Sequence, residues 1–239
     1  MTWIGANLSL LVELTLTHAR LALIPIVLGV LIAVPLGRIA HKLRLGRGVL
    51  LAIIGVLYTI PSLALFTLPP LLFGVSVLSE ANIIIALTIY AVALLTRTAA
   101  DAFQSLDEDV LRSAVAVGYG PLRRFWAVEL PLAGPVLLAG LRVAAVSTVS
   151  LVTVGVLVGS RSLGFLFMDG LQRGIIEEIA AGIVLTVAVA LVLDGLLLLL
   201  GRVLMPWAAT PRQAERRARR AARTPSVTTP VTERTGAAA

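Results

Sequence analysis

The fold class that this sequence predicts is an all-α, polytopic membrane protein with five transmembrane helices. Of the 239 residues, 58% are hydrophobic and 14% are charged, whereas about a quarter of an ordinary soluble domain is charged. The apolar residues fall in continuous blocks, and a helix needs roughly 20 mainly apolar residues to cross a bilayer core. A transmembrane barrel would instead show alternating segments of about ten residues. Both observations favour a bundle of membrane helices.

Five apolar blocks are predicted to cross the membrane, and they define a membrane domain over residues 20–205. The stretch before them is amphipathic, because Glu13, His18 and Arg20 interrupt its apolar run. We interpret residues 1–19 as an interfacial helix rather than a sixth span. They lack a basic start and a small-residue cleavage site, so we expect them to be retained. The predicted spans are residues 20–37, 48–68, 81–99, 132–158 and 179–203.

The C-terminal tail, residues 206–239, changes character twice. Residues 212–223 (RQAERRARRAAR) are strongly basic, and residues 224–239 are rich in Thr, Pro and Ala. The basic run is predicted to lie against anionic lipid headgroups or to serve as a solvated topology anchor. The last residues are predicted to be disordered. Much of the net charge of +7 lies in this tail and in loops, which favours a membrane protein over a nucleic-acid-binding one.

The distribution of Lys and Arg between the loops predicts the orientation. Residues 38–47 carry four such residues and residues 101–131 carry three, whereas residues 73–80 carry none. Short loops rich in Lys and Arg remain in the cytoplasm. With five spans, the predicted topology therefore places the N-terminus outside and the C-terminus in the cytoplasm.

The longest polar connection, residues 101–131, predicts a helix, a break and a second helix. Carboxylates at 107–109 suit a helix start because they complement the helix dipole, and apolar residues then recur on one face. Gly118, Gly120 and Pro121 predict the break. Leu122 begins a second amphipathic stretch, and Pro131 is predicted to introduce the fourth span. Two short helices at a sharp angle would form a knob that another protein could grip.

This segment resembles the EAA motif of ABC importer permeases, and we call residues 101–131 the coupling segment. The motif reads Glu-Ala-Ala, three residues, Gly, nine residues, then Ile-x-Leu-Pro. Three positions differ, because Arg112, Ser113 and Val128 stand where the family has Glu, Ala and Ile. The matching positions are Arg112, Ser113, Ala114, Gly118, Val128, Leu130 and Pro131.

The flanking sequence resembles the osmoprotectant subfamily of these permeases over about residues 8–203. The similar runs are residues 58–74, 94–110, 131–146 and 158–171. The resemblance implies a type I, MetI-like importer fold in the bacterial inner membrane, with two permease copies forming the pathway. It further implies import of glycine betaine, choline, carnitine or proline-type solutes. Another small solute, such as an amino acid or a sulfonate, and a non-transport assembly role remain as alternatives.

The resemblance also implies a division of labour between subunits. The chain has no G-x-x-x-x-G-K-S/T phosphate loop, so ATP and Mg²⁺ would bind to a separate ATPase that holds the coupling segment. Ala114 and Gly118 would allow close approach, and Leu130 and Pro131 would fix the segment to the fourth span. Because aromatic residues make up only 5%, a separate extracytoplasmic protein is expected to bind the solute and deliver it to residues 160–178. The other partners are a second permease copy, identical or related, and membrane lipid.

Polar residues inside the predicted spans supply the remaining candidates. Arg142 and Asp194 lie at similar depths and are predicted to pair or to gate. Six hydroxyl-bearing residues are predicted either to line the translocation pathway or to bond to their own helix backbone. No cofactor or metal site is predicted, because Cys is absent and His18 and His41 lack neighbouring ligands. The six candidate pathway residues are Tyr58, Thr59, Ser62, Ser147, Thr148 and Ser150.

Overall fold

The structure, a computed structural model, describes residues 2–43 and 47–208, and the regular structure of these residues is helical throughout. A π-helical turn, Phe125–Glu129, precedes α9, and a 3₁₀ turn, Gly155–Val158, follows it. The predictions for residues 209–239 lie outside the described residues. The α-helices are α1 Thr2–Ala6, α2 Leu8–Lys42, α3 Arg47–Thr59, α4 Ser62–Leu65, α5 Leu68–Phe73, α6 Glu80–Gln104, α7 Glu108–Ala116, α8 Pro121–Arg124, α9 Leu130–Val154, α10 Gly164–Arg173 and α11 Ile176–Leu204.

Four stretches of helix in the described part are long and apolar enough to cross a membrane. They are α2, α6, the continuous stretch Pro121–Val158 and α11. A fifth crossing exists if Gly48–Leu57 and Ser62–Phe73, which are bent by 97° to each other, count as one span. The all-helical membrane fold is therefore confirmed, with four or five crossings.

The predicted second span, residues 48–68, is not one straight helix but bends at Pro61, where the proline breaks the helix. The chain leaves the helix after Thr59, and Pro61 adopts an extended conformation with φ −55° and ψ 140°. A proline disfavours helical geometry at the residue before it, so Ile60 and Pro61 form a corner. The 13 residues of α3 rise only about 20 Å, which is less than the roughly 30 Å of a bilayer core.

The predicted boundary between residues 19 and 20 is also corrected, because α2 runs without a break from Leu8 to Lys42. Glu13 and Arg20 are exposed, whereas Leu11 and Leu14 are buried. Glu13 and Arg20 therefore lie on the outer side of one long helix, whereas His18 is buried in the bundle, and none of the three ends the helix. Arg20 pairs with Glu80, at the start of α6, across 2.5 Å.

Helices α2, α6 and α9 form the centre of the bundle. Small residues bring α2 and α6 close together, as is common between membrane helices. A Cβ added at Gly29 would lie 2.7 Å from the Cβ of Ala91. One added at Gly37 would lie 2.8 Å from the backbone nitrogen of Ala100. This packing fixes the C-terminal end of α2 against the C-terminal half of α6, beside the coupling segment.

Candidate functional site

The first half of the coupling segment is the short, exposed helix α7. Asp107 caps it by accepting a hydrogen bond from the backbone N–H of Asp109 at 2.8 Å, as short polar side chains do at helix starts. After Ala116 the chain turns at Gly118, whose φ of +91° lies in the left-handed region that glycine tolerates best. The N–H of Tyr119 closes this turn on the carbonyl of Ala114 at 3.0 Å. The helix and its break lie where the sequence predicts them.

The second half of the segment is continuous with the membrane helix, which corrects the predicted helix start at Pro131. Helix α8 passes through the π turn directly into α9, and the whole stretch Pro121–Val158 counts 38 residues. In the π turn the N–H of Leu130 donates to the carbonyl of Phe125, five residues earlier. Pro131 lacks an N–H, and the wider turn just before it lets the helix continue. The Gly118 turn is therefore followed by one continuous helical stretch that leads into α9.

Two of the motif positions on α7, Arg112 and Ser113, are exposed and form hydrogen bonds within α7. Arg112 pairs with Glu108 at 2.7 Å, and an exposed pair of this kind contributes little stability. The hydroxyl of Ser113 donates to the carbonyl of Asp109 at 2.8 Å, and Ala114 is half-buried. A Cβ added at Gly118 would meet nothing within 4 Å. Within this chain, glycine at that position is required by its backbone angle and not by crowding.

The motif positions at the other end of the segment are half-buried and face the bundle. Val128, Leu130 and Pro131 all have intermediate exposure. Leu130 packs against a small apolar cluster that α6, the π turn and α9 build together. The second half of the segment is thus attached to α6 as well as to α9. The buried members of this cluster are Ala99, Ala102, Phe103, Phe125 and Ala133.

A buried ionic cluster, which sequence reasoning missed, lies under the coupling segment. The side chain of Glu129 is 7% exposed, and its two carboxylate oxygens accept from Nε of Arg38 at 2.7 Å and Nε of Arg124 at 2.8 Å. Arg38 also donates to the carbonyl of Pro121 at 3.1 Å, and its guanidinium lies 4.4 Å from the ring centroid of Phe125. We call Arg38, Arg124, Phe125 and Glu129 the Glu129 cluster.

Sequence spacing hides this cluster for two reasons. Arg38 and Glu129 are 91 positions apart. Arg124 and Glu129 are five positions apart, which in a regular helix places side chains about 140° apart around the axis. The π turn between them brings the two side chains together. The available signal is Glu129 itself, a carboxylate at the start of a long apolar run, where an ionisable residue is expected to have a partner.

A groove of about 780 Å³ opens beside the cluster, between α7 and the C-terminal ends of α2 and α6. Close to it, Val115 is 52% exposed, Val117 79% and Leu122 71%. Large exposed apolar side chains grouped around a turn are typical of a binding surface. The groove is lined by His41, Leu43, Gln104, Leu106, Glu108, Leu111, Arg112, Val115 and Arg124.

The structure brings together the two charged residues of the fourth and fifth predicted spans. Nε and Nη2 of Arg142 donate to the two carboxylate oxygens of Asp194 at 2.6 and 2.8 Å. This two-pronged geometry is the strong form of an Arg–carboxylate pair. It joins α9 to α11.

The candidate pathway residues divide by their hydrogen bonds. Thr59, Thr148 and Ser150 each donate to a carbonyl of their own helix, at 2.8, 2.8 and 3.1 Å, which is a common use of a hydroxyl in a helix. Thr148 is fully buried, whereas Ser62 and Ser147 are half-buried. The side chain of Tyr58 lies outside the described residues. A role in a pathway remains a prediction for all six.

At the opposite end of the bundle, residues 160–178 contain α10. Ser162 is buried and its hydroxyl donates to the carbonyl of Val152 at 3.3 Å. A side chain at Gly164 would collide with the backbone of Thr153. These contacts hold α10 on the end of α9. The hydrogen bond from Arg173 to Asp169, at 2.9 Å, raises the pKa of Arg173 above its ordinary value.

Known proteins are similar to this chain in sequence and in fold. The family of binding-protein-dependent transport system inner membrane components matches residues 25–208. The choline transport system permease protein OpuBB of Bacillus subtilis is 32% identical over 192 residues, 80% of this chain and 87% of that protein. The osmoprotectant import permease protein OsmW of Salmonella typhimurium is 31% identical over 205 residues, 84% of this chain and 94% of that protein.

A solved structure supports the fold independently. One chain of the inward-facing MetNI methionine ABC transporter superposes with a TM-score of 0.69 at 22% identity, and the match covers 86% of this chain and 99% of that one. This likeness confirms the predicted importer-permease fold. Together with the family match over residues 25–208, it shows that the chain belongs to the binding-protein-dependent transport system inner membrane components and is the non-catalytic permease subunit of an ABC importer.

Proposed function

We propose that this permease imports quaternary ammonium or proline-type compatible solutes, driven by a separate ATPase that docks on the coupling segment. Support for the solute class comes from the relatives, whose names give choline and osmoprotectants as their cargo. The similarity to each of them extends over four-fifths of this chain or more. ATP and Mg²⁺ bind to the ATPase in this proposal, and this chain binds neither.

The observation that carries the docking site is the exposed turn between α7 and α8. Val117 and Leu122 lie on either side of Gly118 and are largely exposed, and a groove of about 780 Å³ adjoins α7. The turn is held by backbone hydrogen bonds and by the left-handed Gly118, so a partner would meet a preformed shape. Little ordering is then needed on binding, which favours affinity.

The remaining partners follow from the same proposal. The coupling segment lies in the cytoplasm, the N-terminus lies outside, and the C-terminal tail lies inside. A binding protein delivers the solute to residues 160–178, where α10 is fixed on α9. A second permease copy, identical or related, completes the pathway, and lipid covers the rest. In support, α11 carries exposed apolar side chains along its length, among them Leu191, Leu196 and Leu199.

The docking test compares two glycines that share a left-handed backbone conformation and lie in different parts of the fold. Gly118 and Gly74 both have a left-handed φ, of +91° and +66°, and neither would crowd an added Cβ. A Gly→Val change costs each about 1–2 kcal/mol of backbone strain. We expect Gly118→Val to lose most of the ATPase that co-purifies with the wild-type chain, because the exposed turn changes shape. Gly74→Val, at the opposite end of the bundle, should retain it. Equal retention by both variants would contradict docking at this turn.

The solute test uses the complete transporter with its ATPase and binding protein in proteoliposomes. Uptake of radiolabelled choline, glycine betaine, carnitine and proline is measured with ATP supplied either inside or outside the vesicles. We expect ATP-dependent uptake of at least one of these solutes. Uptake of an amino acid such as methionine or of a sulfonate in their place would support the alternative solute class. Failure of any ATPase to co-purify would instead favour an assembly role.

A further inference from the structure

We propose that the Glu129 cluster is a rigid joint, in which Glu129 is a positioning residue that makes the coupling segment and the C-terminal end of α2 move as one body. The inference rests on the proposed docking of an ATPase at the coupling segment. Its consequence is that a displacement of the docked turn reaches the first membrane helix directly, as well as through the continuous helix α8–α9.

The stoichiometry of the cluster makes Glu129 its centre. One carboxylate serves two guanidiniums, and each oxygen is used by a different arginine. Arg38 belongs to α2 and Arg124 to α8. If the carboxylate loses its charge, two neighbouring cations remain at a largely buried position and repel each other. The charge balance between Arg38 of α2 and Arg124 of α8 therefore depends on this single side chain.

Arg38 connects to the segment at two further points. It donates to the carbonyl of Pro121, the first residue of α8, at 3.1 Å. Its guanidinium stacks on Phe125, and the Phe125 ring lies 6.1 Å from that of Phe103 on α6. Arg38 thus contacts the beginning and the end of α8. A planar guanidinium with five donors suits such a multiple contact better than an ammonium group does.

The base on which the joint rests is itself rigid. Gly37, the neighbour of Arg38, packs so closely on Ala99 and Ala100 that an added Cβ would overlap the Ala99 side chain. Protein interiors packed at this distance shift as units and do not deform smoothly. Helices α2 and α6 therefore form one body at this level. The cluster holds the second half of the coupling segment, α8 and the π turn, to this body.

A second ionic contact of α2 provides the matched control. Arg20 and Glu80 join α2 to the start of α6 at the opposite end of the bundle, and both side chains are more than half exposed. Each is paired one to one, in a position where solvent screens the charges. Glu80→Gln therefore removes the same charge as Glu129→Gln, from an interhelical contact that touches neither α8 nor the coupling segment.

The test measures a distance inside the assembled transporter. The chain has no cysteine, so single cysteines at Lys42, at the end of α2, and at Ala127, in the π turn, both exposed, can carry a pair of spin labels. Double electron–electron resonance is recorded without nucleotide and with MgATP trapped by orthovanadate. For the wild type and for Glu80→Gln we expect one narrow distance that is the same in both states. For Glu129→Gln we expect a broader distribution that differs between the states.

A functional readout accompanies the distances. In proteoliposomes, Glu129→Gln should import about tenfold less solute per ATP hydrolysed, a typical size for lost coupling between two sites, while the ATPase remains bound. A merely structural defect would lower ATP hydrolysis and import in proportion. Arg38→Lys keeps the charge but loses the stacking on Phe125 and the several donors of the planar guanidinium. We therefore expect a distance distribution and a ratio of import to ATP hydrolysis between those of the wild type and of Glu129→Gln.

The outcomes separate this inference from the proposed function. If Glu129→Gln keeps the narrow, state-independent distance of Glu80→Gln, the joint is overturned while docking stands. If Glu129→Gln fails to fold, Arg38→Lys decides by the same distance measurement, and a wild-type distribution in it would equally overturn the joint. If the wild-type chain retains no ATPase, the proposed docking fails and the inference fails with it.

Discussion

Helix α9 meets one ionic group just before its start and carries another halfway along, and the two are built differently. Before its start, Glu129 is shared between two arginines and is 7% exposed. Within it, Arg142 pairs with Asp194 alone, with 37% and 22% of the two side chains exposed. The pair is neutral and its two partners hydrogen-bond to each other, which a lipid environment favours. The cluster carries an excess positive charge and joins three elements, which suits a place where parts must move together.

The largest expected effect comes from removing the carboxylate that the two arginines of the Glu129 cluster share. Glu129→Met leaves two arginines without their carboxylate and should lower the free energy of unfolding by about 3 kcal/mol, the lower end for removing one partner of a buried ion pair. Arg38→Met should cost clearly less, because Glu129 keeps Arg124 and the remaining pair is neutral. Thermal unfolding in detergent measures both variants. An equal loss for the two would show that the carboxylate is not the centre of the cluster.

A smaller effect is expected at the neutral pair. Asp194→Leu leaves Arg142 uncompensated, so it should lower the unfolding temperature, although less than Glu129→Met does because these side chains are more exposed. Removing both charges in Arg142→Leu with Asp194→Leu should recover much of the loss, since replacing a whole pair with apolar groups is often neutral.

The charge-swapped protein, Arg142→Asp with Asp194→Arg, sharpens this test. If the pair mainly joins α9 to α11, the swap should recover both stability and transport, because the same ions face each other in reverse order. Double-mutant cycles give the coupling between the two sites. A swap that restores stability but not transport would assign the pair a role in gating.

The two ionic groups also show which contacts could be predicted from the sequence and which could not. Arg142 and Asp194 could be paired from sequence because each interrupts an apolar run at a similar depth. Glu129 and Arg124 could not, because a π turn changes the angle between positions five residues apart. The turn at Gly118 could be predicted from the residue type. The break at Pro61 follows from the residue type, but its angle of 97° and the continuity of α2 through Glu13 and Arg20 depend on tertiary packing.

The smallest effect on stability is expected at Arg112, where the comparison with Glu129 is sharpest. Both residues belong to the coupling segment, but Arg112 is largely exposed and pairs only within α7. Arg112→Glu places the residue of the EAA motif at this position and should change the free energy of unfolding by less than about 0.5 kcal/mol, as exposed substitutions usually do. Because exposed charges at an interface govern its salt dependence and association rate, we expect the change to appear in ATPase binding instead. Titration of the ATPase against the chain at two salt concentrations measures it. An altered salt dependence with unchanged stability would place Arg112 on the docking surface, whereas unchanged binding would confine docking to the apolar turn around Gly118.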